Sequence, residues 1–400
     1  MTKTKFGWRR LPVVVVLVAL AAGAIAYSSI AQSATAAQQP AAGLSEALHD
    51  VLQSYLDEHR AKDHMSTVAL RVTYPDRRPA TAVSVSTGQP VPDDALWQIG
   101  SNTKAFTSVL LLQLEAEGRL SVRDKLGKWL PQYPAWRDVT ITQLLSMTSR
   151  IPDYAQQDAF GEVIVGDPTT VFTPKRLVSF VSGLPLGPAG YNYSNTNYIL
   201  AQLIIERVTH DSYDSQLHRR ILGPLRMHDT CLPPACPGNT TRRMPPGYSG
   251  VSALPMWLGK PVPALALSWA QGAGGLVGSL PDLTTWAKAL YGGRLLPPAQ
   301  QRELQSLVSV TTGKPIPTVT PQDPVGFGLG VAQRIDSATG RPVWAYRGET
   351  FGFQVLHTYV PETGLIITLA VNSTADQDTL TGLADTVHKT LDTSRPYGTN

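Results

Sequence analysis

Leu44, Leu48, Val51, Leu52, Tyr55 and Leu56 recur at the three-and-four spacing that gathers apolar side chains on one helical face. Such a stripe is expected to pack on a sheet. Two β-branched runs follow, "TVALRVTY" and "TAVSVSTG", parted by "PDRRPA", and they predict a strand, a turn and a second strand. The next segment, "SNTKAFTSVLLLQLEAE", is apolar on nearly every side. It predicts a buried helix from about Ser101 to Glu117, stopped by Gly118. From Arg119 to Trp269 the pattern breaks into short helical pieces such as "TITQLLSMTS", "TPKRLVSFVSG" and "NTNYILAQLIIERVTH", with a Pro-rich stretch from Leu232 to Pro263. Strand patterns then return. "GLVGSLPDLTTWAKALYGG" ends a strand and starts a helix capped at Ser279 and Asp282. "GFGLGVAQRI", "VWAYRG", "GFQVLHTYV" and "GLIITLAVNS" read as consecutive antiparallel strands with a turn at Pro361 to Gly364, before a closing helix in "QDTLTGLADTVHKTL".

Both ends of the chain therefore feed one sheet. The expected fold class is α/β, an antiparallel sheet flanked by helices with an inserted all-helical region. Residues 44–118 and 270–395 form the expected core and 119–269 the insertion.

Charge narrows the possible partners. The chain has 400 residues, a formal net charge of +4 and a basic balance, which taken alone suggests an acidic partner such as nucleic acid. Lys3, Lys5, Arg9 and Arg10 are the only charged residues before Glu46, and they account for the whole excess. Nucleic acid is thus excluded as a partner. Those cations precede the uncharged stretch "LPVVVVLVALAAGAIAYSSI" and an Ala34-Thr35-Ala36 site, so residues 1–36 read as a secretory signal peptide. The rival is an N-terminal membrane anchor through residues 11–30, about the length that crosses a bilayer. Residues 37–43 would be a linker. Either reading makes the protein secreted or extracytoplasmic and membrane-anchored. Cys231 and Cys236 then meet oxidising conditions and favour a small-loop disulfide over two free thiols.

The chemistry is carried by a few polar residues at helix starts. Residues three apart share a helical face, so the Lys104 ammonium can reach the Ser101 hydroxyl. Ser101 is the only serine with a lysine three positions on. A serine there sits among unpaired N–H groups at the positive end of a helix, and an apolar surround lowers a lysine's pKa toward that of a base. Tyr193 and Asn195 lie in a polar turn before another apolar-faced helix. A tyrosine near an ammonium is expected to have its pKa drawn down, so that it can take a proton from serine, while the Asn195 amide orients both groups. No histidine lies in a nucleophile-elbow context, and His357, on an apolar strand, reads as packed rather than basic. "GAGGLVG", Gly272 to Gly278, reads as a tight turn and a wall of the cleft. Metal-ligand spacing is absent, and neither a metal nor another cofactor is expected.

The order Ser-x-x-Lys, Tyr-x-Asn and a glycine-containing strand near the C-terminus resembles the serine β-lactamase and penicillin-recognising DD-peptidase superfamily, above all its class C β-lactamase, DD-carboxypeptidase and esterase branch. The likeness spans most of residues 44–395. It implies Ser101 as the acylated nucleophile, Lys104 and Tyr193 sharing proton transfer, and Asn195 holding the substrate amide. The third motif of such proteins is Lys or His, a small residue, then Gly; here the matching positions are Tyr346-Arg347-Gly348, so the leading cation is missing. Gly348 would let substrate backbone approach, and the Glu349 N–H would join that of Ser101 as an oxyanion donor. Arg347 would either clamp a substrate carboxylate or, as an exposed strand residue, point away from the site, which alternation does not decide without a register. The resemblance thus implies an exported serine hydrolase of the D-alanyl-D-alanine carboxypeptidase kind, acting on a small peptide of cell-wall origin. An esterase or β-lactamase is the alternative. A low-turnover penicillin-binding sensor is the competing class.

Overall fold

A computed structural model describes residues 41–75, 80–251, 257–263, 267–375 and 377–393. The expected leader, residues 1–36, lies outside them. Nine strands form one antiparallel sheet: β1 (Thr67–Thr73), β2 (Thr81–Ser86), β3 (Leu307–Ser309), β4 (Pro315–Ile316), β5 (Val325–Phe327), β6 (Ala332–Ile335), β7 (Pro342–Glu349), β8 (Gln354–Val360) and β9 (Leu365–Val371). Their spatial order is β2-β1-β9-β8-β7-β6-β5-β3-β4. The N-terminal hairpin thus joins the C-terminal meander where β1 pairs with β9, Val68 opposite Val371.

Helices cover both faces, which is why β9 is buried at all seven positions instead of alternating. On one face lie α1 (Ala41–His59) and the C-terminal helix Leu380–Thr393, over Leu70, Val343, Ala345 and Leu369. On the other lies α2 (Thr103–Ala116), which the sequence pattern predicts as buried on nearly all sides. Eleven of its residues are buried, and Phe106 stacks on Trp286 at 3.6 Å. Helix α1 begins at Ala41, inside the expected linker.

The structure departs from the sequence pattern at several points, among them α2, which starts at Thr103 rather than Ser101, and β3 and β4, which the pattern does not announce. "GFGLGVAQRI" is a hairpin of β5 and β6, not one strand, because Gly330 turns at φ +79°; a Cβ there would lie 2.6 Å from Ser108 Oγ on α2. The segment 119–269 also holds a strand, Tyr248–Gly250, paired in parallel with Ser373–Ala375. Most of its order comes from helices, notably α3 (Asp158–Gly166) and α4 (Asn195–Thr209). Cys231 and Cys236 are joined in a disulfide.

Candidate active site

The site forms where α2, the start of α4 and the end of β7 converge. A 3-10 turn, Gly100–Asn102, leads into α2 and carries Ser101. Two glycines permit its approach to β7. A Cβ on Gly100, whose φ is +52°, would meet Glu349 N at 2.4 Å, and one on Gly348 would meet Ile99 O at 1.9 Å and Ser101 N at 2.8 Å. Gly348 therefore faces the nucleophile's own turn. The expectation that it admits substrate backbone is corrected, because Ile99 and Ser101 already occupy that space.

The turn is pinned from behind. The Asn102 side-chain amide donates to Ile99 O (2.8 Å) and Val355 O (3.0 Å), and its carbonyl accepts from His357 Nδ1 at 2.7 Å. The other ring nitrogen accepts from the Tyr291 hydroxyl at 2.8 Å. Burial depresses the His357 pKa to about 3, so the imidazole stays neutral with its proton on Nδ1.

Ser101 Oγ lies 3.0 Å from Lys104 Nζ and 2.8 Å from the Tyr193 hydroxyl. A pair of residues three apart and a third 92 positions beyond Ser101 thus meet at one oxygen. Lys104 is fully buried, and Nζ also donates to Asn195 Oδ1 (2.8 Å) and Ala273 O (2.7 Å). Desolvation lowers its pKa to about 7, against which the Asp153 carboxylate pulls upward. In the neutral amine those two fixed acceptors take both hydrogens. The lone pair is then left for the Ser101 hydroxyl to donate into.

Tyr193 behaves otherwise than its proximity to lysine suggests. Nζ lies 4.8 Å from its ring centroid, yet burial pushes the phenol well above its ordinary range. The cost of a buried phenolate exceeds what the Ser101 and Tyr346 hydroxyls and Arg347 return, so Tyr193 holds its proton, against the expectation of a phenol drawn down to act as base. Its oxygen also lies 3.4 Å from the Tyr346 hydroxyl, which burial keeps protonated as well.

Arg347 does not reach the cleft. Strand alternation sends Trp344 and Tyr346 to the α2 side and Val343 and Ala345 to the α1 side, and Arg347 follows the latter. Its guanidinium is buried on Gln354 Oε1 (2.7 Å), Glu349 Oε2 (3.0 Å) and Asp378 Oδ2 (3.5 Å). The expected carboxylate clamp is therefore corrected: three partners inside the fold already hold it. Glu349 offers its backbone instead. Thr350 N donates to Phe353 O across the ladder, so alternation turns the Glu349 N–H to the strand's other edge, beside Gly100.

Asn195 is held at both ends. Its carbonyl accepts from Lys104, and its amide donates to Asp153 Oδ2 at 3.0 Å. The amide expected to hold a substrate is thus engaged at both ends by residues of the fold, Lys104 and Asp153. Asp153 itself is absent from the sequence-based set. The local signal, an Asp ahead of a short helix, reads only as a cap, and Asp153 does accept from Ala155 N. Nothing local announces a contact with a residue 42 positions on.

In front of Ser101 lies a cleft with about 80 Å³ of free space, walled by Phe160, Ile164, Trp269 and Phe351. Phe160 and Ile164 come from α3. Ala273 and Gly274 of the glycine-rich segment form a further wall, as the sequence suggests.

The Beta-lactamase family model matches residues 52–391. A penicillin-binding protein of Bacillus subtilis (strain 168) is 29% identical over 246 residues, 57% of this chain and 52% of that protein. The chain thus spans about half the length of the curated relatives it matches. Among solved structures, a D-stereospecific amidohydrolase from Streptomyces sp. superposes with a TM-score of 0.70 at 28% identity, covering 83% of this chain and 96% of its own. D-amino acid amidase from Ochrobactrum anthropi SV3, complexed with L-phenylalanine, superposes at 0.72 with 24% identity, covering 88% and 100%. The latter likeness bears on the fold alone.

Proposed function

Since this chain belongs to the Beta-lactamase family, a family of serine hydrolases, we propose that it opens amide or ester bonds through an acyl-enzyme on Ser101. One observation carries the reading: Ser101 Oγ sits between the Lys104 amine and the Tyr193 phenol, at 3.0 and 2.8 Å. Neutral Lys104 takes the Ser101 proton as Oγ bonds to the substrate carbonyl, and the carbonyl π pair moves to oxygen. The N–H groups of Ser101 and Glu349 receive that oxyanion. Collapse re-forms the carbonyl and expels the leaving amine or alkoxide, which takes its proton from the Tyr193 phenol. The Lys104 ammonium restores the phenol's proton. Water then attacks the ester carbonyl as its proton passes, in one concerted relay through the Tyr193 hydroxyl, to neutral Lys104. Collapse breaks the bond to Ser101 Oγ, which takes the proton back from the Lys104 ammonium, and the acid leaves.

The cleft favours neutral, apolar substrates. Its walls are aromatic and aliphatic, Arg347 is turned away, and the Glu349 carboxylate is matched by that guanidinium. Amides or esters of an acyl group with a bulky apolar side chain fit these walls better than a small carboxylate-ended peptide. Relatives named for D-stereospecific amide hydrolysis support D-configured amides. The second reading, a D-alanyl-D-alanine carboxypeptidase or low-turnover penicillin binder, draws on the likeness to a penicillin-binding protein. Export to the cell exterior, with the leader cleaved or kept as an anchor, belongs to the same proposal and rests on residues 1–36.

The test is to supply a D-phenylalanine amide, a nitrophenyl ester, a D-Ala-D-Ala peptide and a fluorescent penicillin, following product and adduct mass. Amide and ester turnover with little peptide cleavage supports the first reading. Peptide cleavage, or a stoichiometric adduct without turnover, supports the second. A Ser101→Ala protein with full activity ends both.

A further inference from the structure

Lys104 does not contact a carboxylate, yet one stands a single amide away. Asp153 Oδ2 accepts from Asn195 Nδ2 at 3.0 Å, and Asn195 Oδ1 accepts from Lys104 Nζ at 2.8 Å. A carboxylate accepts on one side and an amine donates on the other, so the orientation of the Asn195 amide is forced. The second carboxylate oxygen accepts from Ala155 N at 3.1 Å, which fixes Asp153 to the start of the Tyr154–Gln156 turn. Asp153 is 7% exposed and Lys104 fully buried, so solvent screens little of the field between them.

We propose that Asp153 is a positioning residue that acts through Asn195 to hold the Lys104 amine against Ser101 and to stabilise the ammonium that forms when Ser101 gives up its proton. The inference rests on the acyl-enzyme reading above and assigns a further residue to it. A buried lysine stripped of its counter-charge is neutral at working pH but a poor acceptor, because the ammonium it must become lacks compensation. Asp153 offsets that cost. It lies beyond contact with both nucleophile and substrate pocket, so its effect passes through Lys104.

Other groups face the pair. Lys104 Nζ lies 4.8 Å from the Tyr193 ring and 5.5 Å from the Tyr198 ring, and Asp153 faces the Tyr154 and Tyr193 phenols. Burial holds all three phenols protonated. Burial also raises the Asp153 carboxyl to about 6, just below the value of about 7 for Lys104. The two therefore titrate as a pair in adjoining steps.

The experiment is the pH profile of kcat/KM for a neutral nitrophenyl ester, with adduct mass recorded in parallel, on the full chain and on Asp153→Asn and Asp153→Ser. The parent rises with pH through a midpoint at about 7, as the amine becomes free. Both variants lose the charge. Serine keeps a side-chain cap for Ala155 N, and asparagine keeps an acceptor for Asn195. The acid limb is expected to move down by about one pH unit or more in each, because the ammonium is no longer favoured, and the plateau to fall roughly tenfold. Thermal melts establish folding, and either variant suffices if the other does not fold. Unmoved midpoints in folded variants, whatever the plateau, overturn the proposal. A parent with no adduct on Ser101 and no limb near neutrality refutes the acyl-enzyme reading instead, so the two failures are distinct.

Discussion

Gly348→Ala tests the packing that brings the nucleophile to its strand. A methyl there would begin 1.9 Å from Ile99 O and 2.8 Å from Ser101 N, both backbone atoms that cannot swing aside. Reaching an ordinary contact requires β7 and the Ser101 turn to separate by more than an ångström. Overpacking of this kind costs about 1–3 kcal/mol of stability. A catalytic cost comes on top of it. The Ser101 and Glu349 N–H groups flank the same gap, and donors must sit within about 2.7–3.1 Å of the developing oxyanion. A displacement of roughly 1 Å costs about 10²-fold in rate, equivalent to about 2.7 kcal/mol of barrier. The assay is kcat/KM on a nitrophenyl ester beside a thermal melt, with Gly382→Ala as control, since a Cβ on Gly382 meets nothing within 4 Å. The control should match or exceed the parent in Tm and match it in rate. A Gly348→Ala protein with parental rate would show that the turn and strand can part without consequence, and the account of the site would fail.

Arg347→Ala should lower stability by about 3–5 kcal/mol, because Glu349 and Asp378 lose a buried cation, while KM values for carboxylate-ended and neutral substrates move together; a rise confined to the former would restore the clamp. Phe160→Ala should cut kcat/KM for a bulky aromatic acyl group more than tenfold and leave an acetyl ester within about threefold, as read from competing substrates. Glu303, raised to about 7 by burial and by its neighbour Glu115, gives stability that is present below the ordinary carboxyl pKa and lost as pH rises through 7. Glu303→Gln should therefore raise Tm at pH 8 and leave it unchanged at pH 4, and equal shifts at both would refute the assignment. Tyr193→Phe should lose at least 10²-fold in amide turnover but less for an ester whose leaving group needs no proton, measured as the ratio of the two rates.

Much of the fold is written in local periodicity, because strands fed by both termini and helices with one apolar face leave separable patterns. The buried helix is legible for that reason, although α2 starts at Thr103 and Ser101 sits in the 3-10 turn before it. Ser101 with Lys104 comes with it, because three residues along these continuous turns still bring the two side chains together. The β5–β6 hairpin is not legible. An apolar run broken by Gly328 and Gly330 satisfies a strand and a hairpin equally, and the choice is made by Ser108 and Tyr198 pressing on the turn. Arg347 could not be assigned a face without knowing the strand register. Asp153 could not be found at all, because its partner is chosen by the packing of α4 and not by anything near it in the chain.

The missing cation at Tyr346 ties these observations together. A buried lysine or histidine at that position would place a second positive charge beside Tyr193, drawing the phenol toward phenolate and driving Lys104 further down. Tyr346 brings a hydroxyl 3.4 Å from Tyr193 and no charge. With that field absent, burial outweighs the lowering by the Ser101 and Tyr346 hydroxyls and the Arg347 guanidinium, and the tyrosine remains an acid. On the mechanism proposed above the base is then Lys104, whose charge is opposed by burial and supported by Asp153. The expectation that tyrosine takes the serine proton assumes a charge pattern this chain does not have. On that mechanism the uncharged Tyr346 shifts proton acceptance from the phenol to the amine, which is why the proposed support from Asp153 matters.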